Sequence, residues 1–246
     1  MTPPVNRTVS ALLATLPALE AAFADVPRPT RVMGCTNCCI SPEELEVLST
    51  TARDDLDAEA LSSYANNAMG TVGSEADFRY FLPRLLQLAV TDAFEYPDRP
   101  FVIRTLKYVP WATAWTPAQG AAILAYLDAW WHGTLTEATP VDDVDEVLAT
   151  LFDVLPTGEH ARILATWLEG GRTALAHLAT FVQAHSMQVA LGKKWDVWVP
   201  PGASEVVAAW LGSGAPFGAL FGQFERDPDA ADAALFLDAA ALLEHA

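Results

Sequence analysis

The chain has 246 residues, of which 52% are hydrophobic and 18% are charged, a composition that excludes intrinsic disorder for most of its length and fits one compact domain, residues 1–246. With 14 basic residues against 31 acidic ones, its formal net charge is -17. Such a charge repels phosphate backbones and anionic lipid surfaces, so we expect neither nucleic acid nor a membrane as a partner.

The N-terminal residues 1–7 are predicted to form a loose arm, and the first helix is predicted over residues 8–24. Its apolar run resembles a secretion signal, but Pro17, Glu20 and a helical stripe of apolar side chains argue against that function. No apolar run approaches the ~20 residues that a bilayer span needs. Three cysteines, an odd number, fit a reduced compartment, so we predict a cytoplasmic protein.

Capping sequences predict several helix starts in the first half of the chain. A serine or aspartate followed within three residues by an acidic side chain is typical of a helix N-terminus. The chain has such starts at Ser41, at Asp57 and at Ser74. The helix behind Ser74 contains Pro83, where we expect a kink or a division because proline lacks the amide hydrogen.

In the second half, Thr-Pro pairs predict helix starts at Thr116 and Thr139, and the terminal helix is predicted over residues 228–244. The segment Lys193–Pro201 alternates like a strand, but it stands alone and ends in two prolines, so we interpret it as an ordered loop. The chain is therefore predicted to be all-α, an irregular multi-helix domain of about ten to twelve helices in antiparallel hairpins. A short helical solenoid is the alternative packing.

The cysteines are the strongest candidates for a site. Cys35 and Cys38 have the C-x-x-C spacing that presents two thiolates to a tetrahedral zinc ion, although a closed site needs two more ligands. Cys39 is the third candidate, but side chains of adjacent residues usually diverge, so we expect a distant histidine or carboxylate to complete the site. Two alternatives stay open: structural cysteines without a ligand, and thiol redox chemistry favoured by the helix that starts at Ser41.

Other motifs point to packing or to a partner. His185 continues an apolar helix face, which favours a buried, hydrogen-bonded histidine over a metal ligand. Trp195 and Trp198 follow Lys193 and Lys194 in a locally basic, aromatic loop, where they can dock a partner or pack over the core. Common hydrolase and nucleotide-binding signatures do not occur, so no enzyme activity is predicted.

The run Gly34–Leu45, with the later helix around Asp77–Arg84, resembles a set of uncharacterised bacterial proteins. The resemblance covers about the first half of the chain and extends to the helix that contains Ala129-Trp130-Trp131. It implies an all-helical fold and no particular activity, substrate or cofactor.

Two functions of different classes follow from the sequence. The first is a non-enzymatic helical interaction module whose acidic surface binds a basic protein partner. The second is a metal-binding protein in which Cys35 and Cys38 hold zinc. Thiol redox chemistry ranks third.

Overall fold

A computed structural model describes residues 6–91, 93–94 and 96–244 of the protein. Over these residues the chain forms twelve α-helices and no strand, which confirms the all-α, multi-helix fold class. The helices are α1 (Arg7–Ala22), α2 (Pro42–Thr50), α3 (Ala58–Asn67), α4 (Glu75–Val90), α5 (Arg99–Arg104), α6 (Pro117–Thr136), α7 (Val144–Val154), α8 (His160–Glu169), α9 (Gly171–Ala190), α10 (Ala203–Leu211), α11 (Ala215–Arg226) and α12 (Ala233–Glu244). None of the described helices is long and apolar enough to cross a membrane.

The chain divides into two compact units, each with its own core. The first unit includes residues 9–130, and the second combines residues 6–8 with the chain from Trp131 onward. The prediction of a single domain over residues 1–246 stays a prediction.

The core of the first unit is built around α4. Its buried Phe81 contacts the ring of Tyr64 on α3, with centroids 4.9 Å apart, and the ring of Tyr80 at 5.0 Å. Tyr126 of α6 is fully buried, and its hydroxyl donates to the carbonyl of Leu86 at 3.2 Å. Burial of these aromatic side chains fixes α3, α4 and α6 against one another, and this frame supports the loop that contains the cysteines.

The core of the second unit is built around α9, which contacts α8, α10, α11 and α12. Trp167 is fully buried between two other aromatic side chains, with ring centroids 5.2 Å from Trp131 and 5.4 Å from Phe181. Its indole N–H donates to the carbonyl of Ala174 at 2.9 Å, so the polar edge of this buried ring is satisfied.

The predicted helix starts at Ser41, Asp57 and Ser74 are confirmed, because each side chain accepts a hydrogen bond from a backbone N–H in the first turn. The predicted start at Thr139 is wrong. Helix α7 begins at Val144, where Asp143 is the cap and accepts from the N–H of Asp145.

Two predicted helix boundaries at prolines can be compared with the structure. Of the kink or division expected at Pro83, the division does not occur, because Pro83 is buried within one continuous helix α4. The terminal helix does not start at residue 228, since α12 begins five residues later at Ala233. Residues 1–5 of the predicted arm lie outside the described residues, and the arm is shorter than predicted because α1 already begins at Arg7.

Candidate functional site

The loop of residues 34–40, called here the cysteine loop, is attached to a distant part of the first unit. The N–H of Cys35 donates to the carbonyl of Thr71 at 3.0 Å, and the N–H of Gly73 donates to the carbonyl of Met33 at 2.7 Å. Thr71 and Gly73 both belong to the short connection between α3 and α4. These two bonds fix the start of the cysteine loop against a segment more than thirty residues away.

Gly34 allows the loop to approach that connection closely. A Cβ atom at this position would lie 2.9 Å from Cγ2 of Ile40 and 3.1 Å from both methyl groups of Val72. Ile40 and Val72 are both buried, so neither side chain can move aside without disturbing the core. The contact therefore requires a residue without a side chain.

A tight turn then returns the chain toward Cys35. The carbonyl of Cys35 accepts hydrogen bonds from the N–H groups of Cys39 at 3.2 Å and Ile40 at 3.3 Å. The side-chain amide of Asn67, at the end of α3, donates to the carbonyl of Cys39 at 3.2 Å. The turn and this outside bond together hold Cys39 close to the start of the loop.

The three thiols meet at one point, and we call Cys35, Cys38 and Cys39 the thiol cluster. The Sγ atoms of Cys35 and Cys38 are 3.9 Å apart, those of Cys38 and Cys39 are 3.3 Å apart, and all three lie within 4.8 Å of one another. The expectation that the side chains of Cys38 and Cys39 diverge is therefore wrong. Cys38 is exposed, and the other two thiols are partly buried.

The thiols differ in acidity because they share hydrogen bonds unequally. The backbone N–H of Asn37 and the thiol of Cys38 donate to Sγ of Cys35 and lower the pKa of Cys35. Hydrogen bonding with the thiols of Cys39 and Cys35, together with the negative charge of those neighbours, raises the pKa of Cys38 to about 11. Cys35 is therefore the thiol of the cluster that the loop stabilises as a thiolate.

An open cavity of about 580 Å³ lies beside the thiol cluster. The described residues of its walls contribute thiol, hydroxyl, amide and phenol groups and no charged side chain. The lining residues are Cys38, Cys39, Ser62, Ser63, Asn66, Asn67 and Tyr96. Solvent or a small ligand can reach two of the three thiols through this opening.

Glu44 at the start of α2 is engaged in structural hydrogen bonds. Its carboxylate accepts from the N–H of Ser41 at 2.6 Å and from the hydroxyl of Ser63 on α3 at 2.6 Å. The bond from Ser63 is the main cause that lowers the pKa of Glu44. One carboxylate oxygen thus accepts a bond that caps α2, and the other accepts a bond that connects α2 to α3.

The thiol cluster contains no fourth ligand among the described residues. Over residues 6–91, 93–94 and 96–244, one group brings together three or more ligand atoms from histidine, cysteine, aspartate or glutamate. That group consists of these three cysteines. No described histidine or carboxylate reaches the cluster, so the distant ligand that we expected stays a prediction. His185, for which we predicted a buried, hydrogen-bonded environment instead of a metal site, lies in the second unit. It is largely buried there, with Nε2 2.6 Å from Oδ2 of Asp145.

The two tryptophans predicted to dock a partner lie in different environments. Trp195 is only 6% exposed, packs against Phe152 and Phe181, and donates its indole N–H to the carbonyl of Asp145 at 3.3 Å. It is therefore a core residue that a partner cannot reach in this conformation. Trp198 is 44% exposed.

Several residues that build the site were not found from the sequence. Gly34, Asn67 and Thr71 act through contacts between segments far apart in the chain, and no local pattern marks them. The backbone N–H of Asn37 is also invisible to a search for side-chain motifs.

Compared with protein-family models, curated proteins and solved structures, the chain matches none of them. The resemblance of residues 34–45 to a bacterial family stays a prediction.

Proposed function

We propose that the protein binds a thiophilic metal ion, with zinc as the reference ion, through the thiol cluster. The observation that carries this proposal is the convergence of three Sγ atoms within 4.8 Å. Cysteine thiolates are the preferred protein ligands of zinc, and C-x-x-C is a common way to supply two of them from one turn.

The spacing of the thiols supports the proposal. Zn–S bonds of about 2.3 Å in a tetrahedron separate two sulfur atoms by about 3.8 Å. The pair Cys35 and Cys38 is already 3.9 Å apart. The pair Cys38 and Cys39, at 3.3 Å, has to open by about half an ångström on coordination. Because Cys38 and Cys39 line the open cavity, water or a small ligand from that side can complete the tetrahedron.

The cysteine loop also favours the thiolate form of Cys35, which a metal requires. A ligand thiol must lose its proton, so metal affinity depends on pH and binding releases protons. The N–H of Asn37 stabilises the thiolate of Cys35 before a metal arrives. Cys38, with a pKa of about 11, gives up its proton only when the metal replaces it.

Metal content and Co²⁺ absorption test this proposal. Protein purified without chelator is expected to hold one zinc per chain, and Co²⁺ in its place is expected to show the absorption of a tetrahedral thiolate complex. Serine substitution of Cys35, Cys38 or Cys39 should weaken binding, whereas Thr36→Ser, an exposed position of the same loop, should not. Equal metal content in wild type and in the variant with all three cysteines replaced would reject the proposal.

A second proposal is an interaction module for a basic protein. The observation that favours it is the segment of residues 187–198, which exposes Met187 by 77%, Leu191 by 66% and Val197 by 77% beside the half-exposed Trp198. Exposed apolar side chains within one short segment are a feature of docking surfaces, and the net charge of -17 of the whole protein attracts basic partners.

Crosslinking at low and high salt tests the second proposal. A basic partner should be captured at low salt and lost at high salt, since the steering charge is then screened. Trp198→Ala should reduce capture, whereas Leu13→Ala, which removes an apolar side chain that is 46% exposed in the first unit, should leave it unchanged. Failure to recover a basic partner at low salt would exclude this function.

A further inference from the structure

We propose that the thiol cluster selects trivalent arsenic, taken up as arsenous acid and held by the three sulfur atoms of Cys35, Cys38 and Cys39. This inference rests on the proposed function, because it names the ligand class of the same site. It is carried by the number of ligands, the hydrogen bonds of Ser63 and Glu44, and the lack of positive charge on the described side chains that line the adjacent cavity.

The number of ligands fits an ion that needs three donors. Zinc in a closed protein site takes four ligands. The cluster supplies three, and no fourth histidine, cysteine or carboxylate joins them in the part of the chain that the structure describes. Trivalent arsenic forms three bonds in a pyramid, and its lone pair occupies the fourth direction. Three thiols on one short loop therefore saturate it.

The side-chain oxygens of Ser63 and Glu44 are engaged in hydrogen bonds with other groups. The hydroxyl of Ser63, in the wall of the adjacent cavity, donates to Glu44 at 2.6 Å. Both carboxylate oxygens of Glu44 accept bonds that cap α2 and connect it to α3. Recruiting this carboxylate as a fourth ligand would break the helix cap, which favours a ligand satisfied by sulfur alone.

Charge favours the same choice. Three thiolates around Zn²⁺ leave a net charge of -1, and around a monovalent soft ion they leave -2. Three thiolates on trivalent arsenic form a neutral adduct. Among the described residues, the side chains that line the cavity beside the cluster carry no positive charge, and the whole protein has a net charge of -17, so a neutral adduct is favoured there over an anionic complex.

The uptake step is a condensation without a change of oxidation state. Arsenous acid, As(OH)₃, reacts with three thiols to give As(S-Cys)₃ and three water molecules. Three As–O bonds and three S–H bonds break, while three As–S bonds and three O–H bonds form. Each thiol proton leaves with a hydroxyl group as water, and arsenic remains trivalent throughout.

Intact-mass spectrometry of the full chain with arsenite tests this inference. Wild-type protein should gain the mass of one arsenic atom less three hydrogens. Each single serine variant, Cys35→Ser, Cys38→Ser and Cys39→Ser, should bind arsenite at least tenfold more weakly. Phenylarsine oxide, which needs only two thiols, should still bind all three variants and thereby show that they are folded and reactive.

The outcomes separate this inference from the proposed function. Arsenite binding by wild type that each single substitution weakens, and that equimolar Zn²⁺ does not reverse, supports the inference. Wild-type protein that binds Co²⁺ or Zn²⁺ but not arsenite overturns the inference and leaves metal binding in place. Arsenite binding that Cys39→Ser does not change also overturns it, because two thiols then suffice. Failure to bind any of these ions overturns both.

Discussion

At the scale of single residues, the thiols of Cys35 and Cys38 should differ in reactivity because their protons are held unequally. The bond from Asn37 favours the thiolate of Cys35, whereas hydrogen bonding with the neighbouring thiols raises the pKa of Cys38 to about 11. In metal-free protein, iodoacetamide should therefore modify Cys35 before Cys38, and Cys38 should resist until strongly alkaline pH, because the thiolate is the reacting species. Peptide mapping across a pH series measures this, and equal rates at the two positions near neutral pH would contradict it.

A second residue-scale prediction concerns His160 in the second unit. This side chain is buried and stacked on Phe152, with ring centroids 4.0 Å apart, and burial lowers the pKa of His160. The unfolded chain therefore binds a proton at higher pH than the folded one does. The free energy of unfolding should fall as the pH drops below about 6.5 and continue to fall down to the lowered folded pKa.

Urea unfolding of His160→Gln across this pH range provides the measurement. The substitution should flatten the part of the pH dependence that comes from His160, because glutamine does not titrate. His132→Gln, at an exposed histidine, is the matched control and should keep the wild-type slope. A slope that His160→Gln leaves unchanged would show that this imidazole is not responsible for the loss of stability in acid.

At the scale of helices and loops, the interactions that were predictable are those made within a few residues. The caps at Ser41, Asp57 and Ser74 each bond to a backbone N–H in the following turn, so local sequence contains the whole signal. The start at Thr139 was wrong because Asp143 offers the same chemistry closer to the first apolar turn. Pro83 stays inside α4 because burial of that helix outweighs the local preference of proline to end it.

In the candidate site, too, only the arrangement set within a few residues was predictable from the sequence. The spacing of Cys35 and Cys38 indicated a pair of ligands, and their Sγ atoms are 3.9 Å apart. The position of Cys39 was not predictable, because it depends on the turn at the carbonyl of Cys35 and on the bond from Asn67, which comes from another helix. Contacts between distant segments leave no mark in a single sequence.

The cap of α2 should matter for the thiol cluster as well as for stability. Ser41→Ala removes an N-cap bond of 3.1 Å to Glu44, and loss of such a cap costs about 1 kcal/mol. Because Ser41 is two residues beyond Cys39, fraying of this helix start should also weaken Zn²⁺ binding. A competition titration with a chromogenic chelator measures the affinity.

Thr116→Ala is the matched control, since Thr116 and Gln119 exchange the hydrogen bonds of a capping box at the start of α6, outside the segments that hold the cysteine loop. It should lower the free energy of unfolding by a similar amount without changing Zn²⁺ affinity. Equal affinities for zinc in Ser41→Ala and Thr116→Ala would show that the helix start does not support the thiol cluster.

At the scale of the whole molecule, the excess of acidic residues should make stability depend on salt. The excess negative side chains, with a net charge of -17, repel one another more strongly in the compact folded state than in the expanded unfolded chain. Salt shortens the range of this repulsion, from about 30 Å at 0.01 M to about 8 Å at 0.15 M. The free energy of unfolding in urea should therefore increase with NaCl at neutral pH. The same titration near the isoelectric point of 4.4 should show little increase, because the net charge is then close to zero. A free energy that does not change with NaCl at neutral pH would mean that local ion pairs, such as Arg172 with Asp232, offset the net repulsion.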